Sequence, residues 1–195
     1  MILGSNSPRR QELLKLICSD FKVATIEVDE TIEKYKNPVD LVKQIAKKKI
    51  QAYQTRFGND DIIICADTIV EKDGKILGKP HNEQEAIEMI NTLKHTVHNV
   101  YTCVSISYYG KIKTFLERTK VYVDDIEESQ IIEYVKTAEP YDKAGGYGIQ
   151  GTFAKYISRI DGDYYNVMGL PVSRLYKELN NLRKRNCLAN SRANC

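Results

Sequence analysis

The sequence predicts a domain built from both helices and strands, an α/β unit of 195 residues. Three observations carry this. Residues 62–65 are four apolar residues bounded by the polar pair Asn59-Asp60, the pattern of a fully buried strand. Val97–Tyr108 and Lys111–Val123 alternate as two strands joined at Tyr109-Gly110, a long hairpin. Helical stripes accompany them: Leu41, Val42, Ile45, Ala46 and Tyr53 before the buried strand, and Ala86, Met89, Ile90 and Leu93 after it.

The length suits one domain with a sizeable core. Lys and Arg number 29 against 26 Asp and Glu, and a net charge of +3 is too slight to imply nucleic-acid binding. No stretch approaches the roughly 18 apolar residues of a membrane span. The opening Met-Ile-Leu is too short for a secretory h-region and follows no basic segment. The five cysteines, at 18, 65, 103, 187 and 195, are odd in number and show no C-x-x-C spacing. This points to reduced thiols in a cytoplasmic protein rather than to a disulfide framework or a zinc site.

Residues 1–3 read as a first strand. The loop Gly4-Ser5-Asn6-Ser7 then opens a helix, with Ser7 as N-cap, Pro8 in the first position, and Leu13, Leu14 and Ile17 as its apolar stripe. Unpaired amides, the positive end of the helix dipole, Arg9 and Arg10 converge there, which makes an anion site. Residues 21–25 read as a strand. Glu27, Asp29 and Glu30 follow, and spacing leaves two readings: a site for a hard divalent cation, or a solvated acidic loop, the commoner case. Asn37-Pro38 restarts a helix. Its Lys47, Lys48 and Lys49 spread over about 200° of helix surface, so at most two reach one ligand.

The buried strand is expected to end at Ala66-Asp67-Thr68, delivering a carboxylate where the backbone emerges. Asp73-Gly74 signals a hairpin that would swing Lys79 back toward Asp67. Asn82 and Glu85 form a capping arrangement for a helix over Glu83–Leu93. His95 and His98 lack a third ligand nearby and read as satisfied surface or core histidines. Residues 127–136 read as a helix. Between 139 and 151 four glycines fall within seven residues, a loop whose backbone can approach a ligand closely. Gly146, Gly148 and Gly151 spell G-x-G-x-x-G. A dinucleotide site is excluded, because that motif follows a strand and opens a helix, whereas here a helix precedes and strand-like residues 152–160 follow. Lys143 and Gln150 could contact a phosphate or a base, or the loop could be a plain connector. Residues 164–167 read as a short strand, and Gly169-Leu170-Pro171 opens a last helix through Leu182. The domain is expected over 1–185, with a frayed tail at 186–195.

A strand-end acid, an acidic loop, an arginine-bearing helix start and a glycine loop with a lysine suit hydrolysis of a polyanionic phosphate ester or anhydride. The residues themselves choose no substrate.

Four segments resemble the Maf family of nucleoside triphosphate pyrophosphatases, first named for septum formation. They are Ser5-Asn6-Ser7-Pro8-Arg9-Arg10; Ala66-Asp67-Thr68 through Gly78-Lys79-Pro80; Asp142-Lys143-Ala144-Gly145-Gly146-Tyr147-Gly148-Ile149-Gln150-Gly151; and Asn166-Val167-Met168-Gly169-Leu170-Pro171. Their order and spacing extend the likeness over residues 2–182. The resemblance implies an α/β domain with a long mixed sheet, flanking helices and two lobes around a nucleotide cleft. It also implies cleavage of the α–β phosphoanhydride of a nucleoside triphosphate with a divalent cation (Mg²⁺, Mn²⁺ or Co²⁺), and frequent pairing as homodimers. On it, Asp67 matches the proton acceptor, Glu30 an acidic residue that with Asp67 would hold the metal, and Lys79 a basic catalytic position. Ser5, Arg10, Lys49 and Lys79 fall on the phosphate-side polar and basic positions, and Lys143 of the glycine loop is a further expected substrate contact. Arg9, Thr68 and Gln150 match base-selecting positions of the dTTP/UTP branch; the 7-methyl-GTP branch typically carries tryptophan, glutamine and glutamate there. His95 and Cys103 depart from the family's small residues, outside the implied chemistry.

Overall fold

A computed structural model describes residues 1–193, with side chains as far as Asn186. Seven strands form one mixed sheet: β1 (Ile2–Gly4), β2 (Lys22–Ala24), β3 (Ile62–Lys72), β4 (Lys75–Leu77), β5 (Val97–Tyr108), β6 (Lys111–Val123) and β7 (Ile157–Asp161). The order is β2-β1-β3-β5-β6-β7, with β4 also on β3. β1 runs parallel to both β2 and β3, and the remaining pairs are antiparallel. The expected hairpins are present. Asp73 and Gly74 turn at φ 51° and 80°, and Tyr109 and Gly110 at 45° and 80°. Two successive positive φ values match the twist of the flanking strands.

The edges of β3 position the site. β5 pairs with β3 all the way from Ile62 to Glu71. β1 and β4 share the opposite edge, β1 beside residues 63–65 and β4 beside 70–72, leaving residues 66–69 uncovered between them. This corrects the expected strand end at Asp67. The strand continues because Thr68, Ile69 and Val70 favour extended backbone and stay bonded to β5; what ends near Asp67 is its parallel neighbour, at Gly4 opposite Cys65. Gly4 permits that close packing, since a Cβ there would lie 2.7 Å from Cys65 Sγ and 2.8 Å from the Tyr53 ring.

Six helices flank the sheet: α1 (Pro8–Lys15), α2 (Pro38–Phe57), α3 (Glu83–Leu93), α4 (Glu128–Val135), α5 (Tyr164–Met168) and α6 (Val172–Ala193). Ser7, Asn37 and Asn82 cap α1, α2 and α3 by accepting from the third residue on, as their types predict. The two-residue period of β3 then splits the core. Ile64 and Ala66 pack with Leu13 and Leu14 of α1 and Leu175 and Leu179 of α6. Ile63, Cys65 and Ile69 face α2, through Ile50, Tyr53, Val42 and Ala46. A further core begins at Val70, with Ala86, Ile90 and Leu93 of α3, Ile131 and Val135 of α4, and Phe153. Burying each large aliphatic side chain contributes about 1.5–3 kcal/mol. The two ends of β3 therefore sit in different lobes, and residues 66–69 lie where they meet.

Three further readings change. Residues 164–167 are helical, not extended: Asp163 accepts from Tyr165 N–H, and Gly169 closes the turn at φ 108°. These two end signals override the strand preference of Tyr-Tyr. Residues 152–160 begin as a 3₁₀ turn, Thr152–Tyr156, before β7. Helix α6 passes the expected end at Leu182 and runs to Ala193; the last two residues of the expected tail lie outside the described residues. His98 is a core residue, 1% exposed and hydrogen-bonded to Tyr147.

Candidate active site

A cleft of about 1080 Å³ opens at the uncovered stretch of β3, between the two lobes. Asp67 and Thr68 are neighbours on the strand and so point to opposite faces. Asp67 faces α2, where Lys49 Nζ donates to Asp67 Oδ1 at 2.8 Å and to Glu30 Oε1 at 2.8 Å. Burial works to lower the Lys49 pKa, but the charges and hydrogen bonds of Asp67 and Glu30 outweigh it and raise it. Glu30 reaches this point because the acidic segment is pinned to α2. The Tyr53 hydroxyl accepts from Ile26 N–H at 3.2 Å and donates to Ala24 O at 2.9 Å, and Lys48 holds Asp29 and the Thr31 carbonyl. Glu30 thus borders the cleft rather than belonging to a merely solvated loop.

On the other face Arg10 is half-buried and held at all three guanidinium nitrogens. Its Nε donates to Gly169 O at 2.9 Å, Nη1 to Ser5 Oγ at 3.3 Å and Nη2 to Thr68 Oγ1 at 3.0 Å. Burial lowers its pKa, yet a guanidinium stays charged in proteins. Arg9 Nη1 donates to Asp142 Oδ2 at 3.0 Å, which ties the start of α1 to the glycine loop. Asp142 also holds Lys143, whose ammonium donates to Glu139 O at 2.8 Å. Lys79 and Gln150 are exposed at the cleft wall.

Glu139 shapes the glycine loop. Its carboxylate accepts from Thr152 N–H at 2.7 Å, Thr152 Oγ1 at 2.8 Å and the Tyr134 hydroxyl at 3.2 Å. Burial works to raise its pKa, and these hydrogen bonds outweigh it, so the carboxyl titrates below its ordinary value. Gly145 and Gly146 adopt φ 74° and 70°, a left-handed pair that lets Gly145 N–H bond to Gly78 O at 2.9 Å. The loop is thereby fastened to the segment that carries Lys79. It opens no α-helix, consistent with excluding a dinucleotide site.

All ten residues singled out from the sequence border this one cleft: Ser5, Arg9, Arg10, Glu30, Lys49, Asp67, Thr68, Lys79, Lys143 and Gln150. Sequence reasoning missed Glu139, Asp142 and the hydroxyl of Tyr53. Only their partners, 13 to 133 residues away in the chain, reveal them. As a metal centre the set is spare. No group of three His, Cys, Asp or Glu occurs among the described residues, but Asp67 and Glu30 offer hard oxygen donors no farther apart than twice their distance to Lys49 Nζ. Two carboxylates suit an ion that completes its shell with phosphate oxygens and water.

A family model described as Maf-like protein matches residues 1–182. The chain belongs to the Maf-like family. Among its relatives, a dTTP/UTP pyrophosphatase of Bacillus cereus strain AH187 is 47% identical over 179 residues, 92% of this chain and 93% of the relative. A dTTP/UTP pyrophosphatase of strain AH820 is 48% identical over the same share of both chains. Among solved structures, the Staphylococcus aureus Ham1 protein aligns with a TM-score of 0.46 at 18% identity, covering 64% of this chain and 71% of that one. The cleft of this Maf-like protein is lined by five cations, Arg9, Arg10, Lys49, Lys79 and Lys143, and by five carboxylates, Glu27, Asp29, Glu30, Asp67 and Asp142.

Proposed function

We propose that this protein is a nucleoside triphosphate pyrophosphatase that hydrolyses dTTP and UTP at the α–β anhydride, giving the monophosphate and pyrophosphate. The observation that carries this is the sharing of Lys49 by Asp67 and Glu30 at the uncovered edge of β3, with Arg10 bordering the same cleft. The names of the B. cereus relatives support the choice of substrate.

In this reading Asp67 takes the proton of the attacking water, while Lys49 holds Asp67 and Glu30 in place. Arg10, Ser5, Lys79 and Lys143 bind the phosphates and take up charge as pyrophosphate departs. Arg9, Thr68 and Gln150 bind the base; Gln150 can both donate and accept toward a pyrimidine edge. A Mg²⁺, Mn²⁺ or Co²⁺ ion held by Asp67 and Glu30 would supply further neutralisation of phosphate charge. Cytoplasmic location fits the free thiols Cys18, Cys65 and Cys103, and no helix among the described residues is long and apolar enough to cross a membrane. Homodimer pairing belongs to the same proposal, and sedimentation checks it.

The deciding experiment is a panel of nucleoside triphosphates, 7-methyl-GTP included, assayed for pyrophosphate with each of the three metals. Release from dTTP and UTP above all others is expected. No release from either, or equal turnover of purine nucleotides, overturns the reading.

A further inference from the structure

We propose that Tyr53 is a positioning residue for Glu30: its hydroxyl sets the register of the acidic segment, so that Glu30, rather than a neighbour, meets Lys49. This role rests on the pyrophosphatase reading above and deepens it.

The segment that leaves β2 alternates. Ala24, Ile26 and Val28 pack against the cluster of Ile2, Ile50, Tyr53, Ile63 and Cys65, whereas Thr25, Glu27 and Asp29 are exposed. Glu30 is next in phase with the inward set, and it is the carboxylate that Lys49 holds. A slip of one residue moves every side chain of an extended segment to the other side. Such a slip would turn Glu30 to solvent and bring Asp29 or Thr31 to Lys49. β2 ends at Ala24, so sheet pairing does not hold the phase beyond it, and side-chain anchors must.

The surroundings of the anchors rank them. Thr25 bonds to Asn6 at the exposed surface. Lys48 reaches Asp29 Oδ2 at 3.3 Å and Thr31 O at 2.9 Å, but the Lys48 and Asp29 side chains are 41% and 74% exposed, and such a pair contributes little. Tyr53 is 3% exposed. Its hydroxyl accepts from Ile26 N–H at 3.2 Å and donates to Ala24 O at 2.9 Å, gripping the backbone on both sides of Thr25.

The ring itself is clamped. It stacks on Phe57 at 5.9 Å between centroids, and a Cβ on Gly4 would lie 2.8 Å from Tyr53 Cζ, the carbon that bears the hydroxyl. Lys49 and Tyr53 are four residues apart on α2 and share a face of it. One helix face therefore carries both the ammonium and the anchor that brings Glu30 to it.

The test compares kcat and KM for UTP in the wild-type protein, Tyr53→Phe, Lys48→Met, Glu30→Gln and the double variant Tyr53→Phe/Glu30→Gln. Phenylalanine keeps the ring and removes only the anchor. In Tyr53→Phe kcat should fall roughly tenfold or more, with KM changed less, because two hydrogen bonds of a buried hydroxyl are lost. In Lys48→Met it should fall by less than about threefold. Adding Tyr53→Phe to Glu30→Gln should cost less than about twofold more, since the carboxylate it positions is gone; a general packing role would lower both backgrounds alike. A Tyr53→Phe protein within about twofold of wild type, or an equal loss in both backgrounds, overturns the proposal. A second measurement needs no substrate. A glutamate-specific protease should cut after Glu27 and Glu30 roughly tenfold or more faster in Tyr53→Phe than in wild type, and equal rates also overturn the proposal. Failure of the pyrophosphatase reading shows separately, as no pyrophosphate from UTP or dTTP, and the protease measurement still decides the role of Tyr53.

Discussion

Lys49 on α2 and Asp67 on β3 form a 2.8 Å ion pair in which the side chains are only 14% and 16% exposed. The same ammonium holds Glu30, so the two carboxylates and the lysine behave as one unit. Removing a partner from such a pair leaves a poorly solvated charge behind. Asp67→Asn should cut turnover by roughly 10²–10⁴-fold, the usual contribution of a general base, while nucleotide binding persists. Lys49→Met should also lower turnover, and the double variant should lose less than the two single losses combined, with a coupling on the order of 0.5–3 kcal/mol. Measuring kcat/KM for the four proteins checks this; strictly additive losses would show that Lys49 does not act through Asp67.

Gly151 marks the tightest point of the glycine loop. A Cβ there would lie 2.1 Å from Glu139 Oε1, the carboxylate that organises the start of the 3₁₀ turn. In Gly151→Ala the glutamate must move and leave donors unpaired, at a cost of about 1–3 kcal/mol. Urea unfolding should report that loss, together with weaker nucleotide binding, because Gln150 is the preceding residue. An unchanged unfolding midpoint would mean that the loop is not held by Glu139.

The local signals proved reliable. The caps at Ser7, Asn37 and Asn82 and the turns at Asp73-Gly74 and Tyr109-Gly110 depend on a few neighbouring residues, and each forms as its residues dictate. Eight of the ten cleft residues were also legible through four separated motifs; Glu30 and Lys49 lie outside those motifs. What stayed hidden was set by partners. Nothing in Ala66-Asp67-Thr68 says that β1 stops at Gly4 while β5 continues, so Asp67 read as a strand end rather than the middle of β3. Periodicity placed Lys49 among three equivalent lysines, and only the folded acidic segment distinguishes it. Residues 164–167 misled because aromatic and β-branched side chains outweighed the flanking Asp163 and Gly169.

Asp142 holds Arg9 from α1 and Lys143 from the glycine loop at the same carboxylate. Burial works to raise its pKa, but the hydrogen bonds and charges of Lys143 and Arg9 outweigh it and lower it. Asp142 is 60% exposed, so the pair adds little stability, about 1 kcal/mol at most. Its effect is to preorganise two cations, one from α1 and one from the glycine loop, at the cleft wall. Asp142→Ala should leave the melting temperature nearly unchanged and raise KM for UTP severalfold, and the difference from wild type should shrink in high salt. Steady-state kinetics at two ionic strengths checks this, and an unaltered KM at low salt would refute it.

His98 makes the fold sensitive to acid at a point away from the carboxylates of the cleft. Its ring is 1% exposed, bonded through Nε2 to the Tyr147 hydroxyl at 2.7 Å, and its Nδ1 has no partner among the described residues. Burial, with a smaller push from the Lys72 charge, depresses its pKa to about 3 from the ordinary 6.5. Between those values the unfolded chain binds a proton that the folded chain refuses, so stability falls as pH drops through 6.5. From pH 7 to pH 5 this single group should remove about 2 kcal/mol. His98→Gln cannot titrate, so its stability should decline less over the same interval, even if it starts lower. Urea unfolding of both proteins at pH 7 and pH 5 measures the difference. Parallel declines would place the acid sensitivity elsewhere and remove His98 from this role.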